Sequence, residues 1–65
     1  ADRAQQDYCL AELFAQAGMK ESAIDFLRKA FDEGFHDHNR LMQDADFAQL
    51  RKTADFAHLM ASQKN

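Results

Sequence analysis

The chain has few residues that interrupt helices and almost no β-branched residues, which favour strands. Its 65 residues include no proline, no valine and no tryptophan, and only two glycines. The only β-branched residues are Ile24 and Thr53, whereas strands favour β-branched and aromatic side chains in alternation. Good helix formers such as alanine, leucine and glutamine fill most other positions. The composition therefore predicts an all-α fold.

Cysteine is also scarce. Cys9 is the only one, so the chain cannot form an internal disulfide, and a lone thiol favours a reducing compartment such as the cytoplasm. A chain this short buries only about 60% of the surface that its unfolded form exposes, which leaves a thin stability margin. We therefore expect one small domain that forms homo-oligomers when isolated.

The chain lacks an excess of basic residues. Its formal charge is −3 at pH 7, whereas nucleic acids and anionic membranes attract basic faces. No apolar run is long enough to span a bilayer, and no signal peptide is recognisable. We expect neither nucleic acid nor membrane as a partner. Because the chain begins at Ala1, we expect it to be a fragment or a processed product of a longer polypeptide, from which a targeting segment could have been removed.

The two glycines divide the first half of the chain. Gly18 and Gly34 each follow a stretch with helical spacing of apolar residues, and glycine readily adopts the left-handed conformation that ends helices. We predict helices over residues 2–17 and 21–33. The short connection makes them an antiparallel hairpin, residues 1–34. Its predicted inner faces combine small and large residues: Leu10, Ala11, Phe14, Ala15, Ala23, Leu27, Ala30 and Phe31.

The second half contains a near-duplication, ADFAQL at residues 45–50 and ADFAHL at residues 54–59. The two copies lie nine residues apart. At about 100° per residue, a continuous helix would place Phe56 opposite Phe47 and expose one of them. A break near residues 52–53 removes this conflict.

Residues 35–65 are therefore predicted to fold as short helices, and we call this segment the C-terminal cap. Asp46 and Asp55, or alternatively Thr53, are the candidate N-terminal capping residues of these helices. We expect the C-terminal cap and the hairpin to form one compact domain.

The hairpin resembles one tetratricopeptide repeat, in which two helices meet with a small residue at each close contact. The residues that carry the resemblance are Leu10, Ala11, Phe14, Gly18, Ala23, Leu27 and Ala30. The C-terminal cap resembles the short-helix unit that follows the last such repeat in bacterial proteins, with Gly34 and Phe35 at the turn. The resemblance implies a protein-interaction or scaffold module rather than an enzyme, at the end of a larger repeat protein.

The resemblance also implies a groove along the first helix that binds a protein or peptide. Gln5, Tyr8, Glu12 and Gln16 match its positions, and Tyr8 suits the role of an aromatic anchor. The alternative is that these four residues form only the solvated side of that helix. Phe26 lies off the inner face of the second helix, and we expect it to point outward toward a partner.

Other kinds of site find little support. His36, Asp37 and His38 form the only cluster with metal-ligand types. Zinc needs four ligands, and the others would have to come from Asp32, Cys9 or His58, whose spacing does not support a site. Nothing near Cys9 would lower the pKa of a nucleophilic thiol, so we expect a buried or half-buried filler. We predict no catalytic residue, no metal and no cofactor. Two alternatives stay open: a purely structural cap or oligomerisation segment, and a metal or thiol site at His36, His38 or Cys9.

Overall fold

The computed structural model describes residues 2–63 and contains four α-helices and two 3₁₀ helices in that range. The α-helices are α1 (Arg3–Gln16), α2 (Lys20–Asp32), α3 (His38–Gln43) and α4 (Ala54–Ser62). The first 3₁₀ helix (Ala45–Phe47) and the second (Leu50–Lys52) lie between α3 and α4. None of the described residues lies in a strand. The predicted all-α class is confirmed.

The ends of the hairpin helices follow from local chemistry. The Asp2 carboxylate accepts a hydrogen bond from the Gln5 amide at 3.3 Å and so caps α1. Gly18 adopts a positive φ of 79°, and the Met19 amide after it donates to the Phe14 carbonyl at 2.9 Å. Gly34, with φ of 104°, ends α2 in the same way. Both glycines thus terminate their helices as predicted.

One apolar core joins the hairpin to the C-terminal cap. Alanine side chains of α1 and α2 are fully buried at the helix contact, which lets the two helices approach closely. The core consists of Tyr8, Ala11, Ala23, Ile24, Leu27, Ala30, Phe31, Leu41, Phe47, Leu50, Phe56 and Leu59. Among the described residues, no helix is long and apolar enough to cross a bilayer.

The expected break in the tail occurs at Thr53, whose backbone is extended. Its hydroxyl oxygen accepts a hydrogen bond from the Phe56 amide at 3.1 Å and donates one to the Leu50 carbonyl at 2.7 Å. Phe47 and Phe56 are both buried as a result, with at most 4% of either exposed. Thr53 is therefore the correct one of the two candidate caps for α4, and Asp55 lies inside its first turn.

Two expectations about the register of these elements are wrong. Asp44, rather than Asp46, caps the first 3₁₀ helix by accepting a hydrogen bond from the Asp46 amide at 3.0 Å. In α1 the buried side is formed by Ala4, Tyr8 and Ala11, and Leu10 is 39% exposed rather than buried. The rotation arises because α1 packs against the first 3₁₀ helix as well as against α2.

We expect Phe56→Ala to destabilise the fold by about 3–5 kcal/mol, because it leaves a cavity where a ring that is 4% exposed now packs. His58 lies two residues away on the exposed side of α4, and His58→Ala should change stability by about 0.5 kcal/mol or less. Thermal melts followed by circular dichroism measure both. Coincident melts for the two variants and the original chain would show that α4 is not packed.

Candidate functional site

The four residues expected to line a groove, Gln5, Tyr8, Glu12 and Gln16, do lie on one side of α1, which we call the Tyr8 face. The C-terminal cap covers this face. Tyr8 is completely buried, so its expected exposure to a partner or to solvent is wrong in this structure. The physical reason is that the ring and the hydroxyl of Tyr8 both find partners in residues 35–47.

Tyr8 connects the hairpin to the C-terminal cap. Its ring stacks on Phe35, with centroids 4.4 Å apart, and meets the edge of Phe47 at 5.5 Å. The Arg40 guanidinium lies 4.5 Å from the ring centre, a cation–π arrangement. The Tyr8 hydroxyl donates a hydrogen bond to the Asp44 carboxylate at 2.8 Å. A buried hydroxyl without such a partner would destabilise the fold.

Glu12 lies one turn further along α1 and faces the same segment. Its carboxylate is 3.8 Å from the Arg40 guanidinium, and its side chain is only 20% exposed. Carboxyl oxygens of Glu12, Asp44 and Asp46 all lie within 4.8 Å of one another. We call Tyr8, Glu12, Arg40, Asp44 and Asp46 the polar joint.

The remaining Tyr8-face residues lie at its edges. The Gln16 side-chain amide donates a hydrogen bond to the Asp46 carboxylate at 3.0 Å in an exposed position. Gln5 borders a small cleft beside Phe35 and Arg40. All four predicted groove positions thus contact or border the C-terminal cap.

The close carboxyl groups change one another's proton affinity. Burial raises the pKa of Glu12 to about 7, and a hydrogen bond to Asp44 and the charge of Asp44 act in the same direction. Burial alone would also raise the pKa of Asp44, but hydrogen bonds, the largest from Glu12, hold it below its ordinary value. Burial and the bond to Asp44 raise the pKa of Tyr8. One proton between Glu12 and Asp44 accounts for the opposite directions of the two carboxyl shifts.

Sequence reasoning missed the residues that complete this site. Asp44 could have been found, because Asp three residues before Phe47 is typical of a capping position. Arg40 and Arg51 give no local signal, because the partners of their side chains lie seven or more residues away. Arg51 donates to the carbonyls of Leu41, at 3.1 Å, and Asp44, at 2.7 Å, and so fixes the segment that carries Asp44.

The polar joint is also the one place in the described residues where three possible metal ligands converge. Carboxylate oxygens suit Mg²⁺ or Ca²⁺. Here each carboxyl group already has a protein partner: Arg40 for Glu12, Tyr8 for Asp44 and Gln16 for Asp46. These contacts are those of a structural joint, and we assign no metal to it.

The residues of the alternative metal or thiol site do not come together. No described group of three possible ligands includes His36, His38 or Cys9. His38 instead meets the ring of Phe31 edge-on, with centroids 5.6 Å apart. Cys9 is exposed, so its expected role as a buried or half-buried filler is wrong.

The side of α1 away from Tyr8 is apolar and uncovered. Cys9, Leu10 and Leu13 are exposed there, and Leu13 is the most exposed of the large apolar residues at 59%. They line a shallow groove together with Asp2, Gln5 and Gln6. We call Cys9, Leu10 and Leu13 the outer face of α1. The orientation of α1 explains why this surface is uncovered: because Tyr8 faces the core, Leu10 and Leu13 face solvent.

Phe26 is half-buried at the edge of this region. Its ring stacks on Phe14 of α1, with centroids 5.3 Å apart, and the Lys29 ammonium lies 4.8 Å from its centre. Phe14 follows Leu10 by one helical turn, so it adjoins the outer face. Phe26 therefore contributes to packing within the hairpin and extends the apolar surface beside α1.

No protein-family model, curated protein or solved structure matches this chain. The resemblance to a tetratricopeptide repeat accordingly stays a prediction from the residues that carry it.

We expect Tyr8→Phe to destabilise the fold by about 1–3 kcal/mol, because it keeps the ring contacts but removes the hydrogen bond to the Asp44 carboxylate. Gln16→Ala removes a hydrogen bond of the same joint in an exposed position and should cost about 0.5 kcal/mol or less. Urea unfolding measures both. Equal midpoints for Tyr8→Phe and Gln16→Ala would contradict a structural role for the Tyr8 hydroxyl.

Proposed function

We propose that the chain is a protein–protein interaction module of tetratricopeptide type, without catalytic activity, and that it closes the end of a larger repeat protein. It binds an amphipathic helix of a protein partner along the outer face of α1. The observation that carries this proposal is the exposed apolar strip of Cys9, Leu10 and Leu13 on a helix whose other side is covered.

The spacing and length of the strip suit a helical partner. Residues one turn apart on α1 present a row of apolar side chains, which is how grooves receive amphipathic helices. The residues that line the groove run from Asp2 to Leu13 and extend over roughly 17 Å, enough for about three turns of a partner. Single exposed apolar residues are ordinary, but a row of them beside the half-buried Phe14 and Phe26 is a contiguous surface.

Charge restricts the partner further. The residues that line the groove include one charged side chain, Asp2, at the N-terminal end of α1, and the whole chain carries −3. A partner helix with basic residues flanking its apolar stripe is complementary to this surface. The Tyr8 face is a less suitable docking surface, because the C-terminal cap already occupies it.

A purely structural role is the second candidate, and the covered Tyr8 face favours it. A segment that seals one side of its first helix has the form of an array end, and the outer face of α1 would then contact the neighbouring segment of the same polypeptide. The exposed Cys9 thiol separates the two candidates. The measurement is made on a longer polypeptide without added partner. The thiol should react with iodoacetamide if the outer face is free to receive a separate protein, and it should be protected if a neighbouring segment of the same polypeptide covers that face.

We expect Leu13→Ser to abolish binding of a synthetic helical peptide with a leucine stripe flanked by lysines, and to reduce any self-association. Stability should change by about 0.5 kcal/mol or less, because Leu13 is 59% exposed. Chemical-shift perturbation by the peptide should map to α1 around Leu10 and Leu13. Sedimentation at micromolar concentration reports on self-association.

Met42→Ser is the matched control, since Met42 is 52% exposed on α3, away from the outer face. It should bind the peptide like the original chain. Equal loss of binding in both variants, or shifts confined to residues 38–47, would contradict docking on the outer face of α1.

A further inference from the structure

The polar joint connects parts of the chain that are far apart in sequence. Tyr8 and Glu12 belong to α1, Arg40 to α3, and Asp44 and Asp46 to the start of the first 3₁₀ helix. The hydrogen bond from Tyr8 to Asp44 is 2.8 Å, and the Glu12 carboxyl group contacts the Arg40 guanidinium at 3.8 Å. Any separation of α3 and the first 3₁₀ helix from α1 must break both contacts.

The charges in the joint do not balance. Three carboxyl groups have oxygens within 4.8 Å of one another, and Arg40 is the cation that contacts Glu12. Arg51 meets Asp44 through the backbone carbonyl rather than the carboxylate. Three neighbouring negative charges repel one another, so the docked arrangement favours a proton on one of them.

We propose that this joint is a pH-dependent latch, in which a proton shared between Glu12 and Asp44 holds α3 and the first 3₁₀ helix against α1 and its loss loosens them. The groups that face Glu12 are Tyr8 on its own helix, Arg40 on α3, and Asp44 and Asp46 beside it. Loosening would uncover the Tyr8 face. The latch does not depend on the outer face of α1 or on the proposed function.

The direction of the pH effect follows from the two carboxyl groups. The pKa of Glu12 is raised from 4.5 to about 7 in the docked state. The stability that protonated Glu12 gives to docking is therefore fully present below about pH 4.5 and is lost as the pH rises to 7. The pKa of Asp44 is lowered. The stability that ionised Asp44 gives to docking is therefore present at any pH above the ordinary pKa of an aspartate and is lost only in stronger acid. The latch is therefore tightest near pH 4.5 and loosest above 7.

Tyr8 reports on the latch directly. It is the only tyrosine in a chain without tryptophan, so the intrinsic fluorescence comes from one ring inside the joint. Between pH 5 and 7.5 we expect a sigmoidal change in Tyr8 emission and a fall in the thermal midpoint of about 5 °C. Amide protection factors, which correct for the base-catalysed intrinsic exchange rate, should fall in residues 38–47 over the same range more than in α2.

Glu12→Gln keeps an uncharged hydrogen-bonding side chain and cannot titrate, so it should flatten all three profiles between pH 5 and 7.5. Glu21→Gln, on the exposed start of α2, is the matched control and should keep the profiles of the original chain. Both variants retain all three histidines, so each differs from the original chain in one carboxyl group alone. An unchanged profile in Glu12→Gln would overturn the latch.

Carboxyl carbon NMR of the original chain tests the same idea without a substitution. We expect the Glu12 side chain to titrate with a midpoint near 7. A midpoint between 4 and 5, as for an exposed glutamate, would also overturn the proposal.

Discussion

The burial of Tyr8 determines how the two halves of this chain fit together. Its ring occupies the space between α1 and the C-terminal cap, against Phe35 and Phe47, and its hydroxyl requires an acceptor there. Asp44 supplies that acceptor, and Arg51 fixes the backbone of Asp44. The conformation between α3 and the second 3₁₀ helix is thus constrained by the need to satisfy one polar group inside an apolar contact.

The orientation of α1 follows from the same constraint. A helix can turn only one side toward the core, and placing Tyr8 there places Leu13 on the other side. A register with Leu10 facing inward would bury its side chain, but it would turn the Tyr8 hydroxyl away from Asp44. The same rotation of α1 therefore exposes Leu10 and Leu13 on the outer face and gives the Tyr8 hydroxyl its acceptor in the polar joint.

The sequence was sufficient for most features that local rules control, although it indicated Asp46 rather than Asp44 as the cap of the first 3₁₀ helix. Gly18 and Gly34 ended their helices because only glycine adopts that conformation without strain, and the nine-residue offset between Phe47 and Phe56 required the break at Thr53. The register of α1 could not be predicted, because Tyr8 and Leu10 both satisfy a helical period. The choice between them depends on Asp44, which is 36 residues from Tyr8 in sequence and enters no periodic pattern.

The apolar and the polar contacts between the hairpin and the C-terminal cap contribute differently to stability. Buried rings and leucines account for most of the stability, since each large apolar side chain contributes about 1.5–3 kcal/mol when buried. The ion pair of Glu12 with Arg40 is partly exposed, and such pairs contribute little on their own. The polar groups add selectivity. The hydrogen bond from Tyr8 to Asp44 favours the docked position in which it forms, and the excess of carboxyl groups makes that position sensitive to a proton. The apolar core therefore determines that the C-terminal cap docks on α1, and the polar joint determines where it docks and at which pH it is held most tightly.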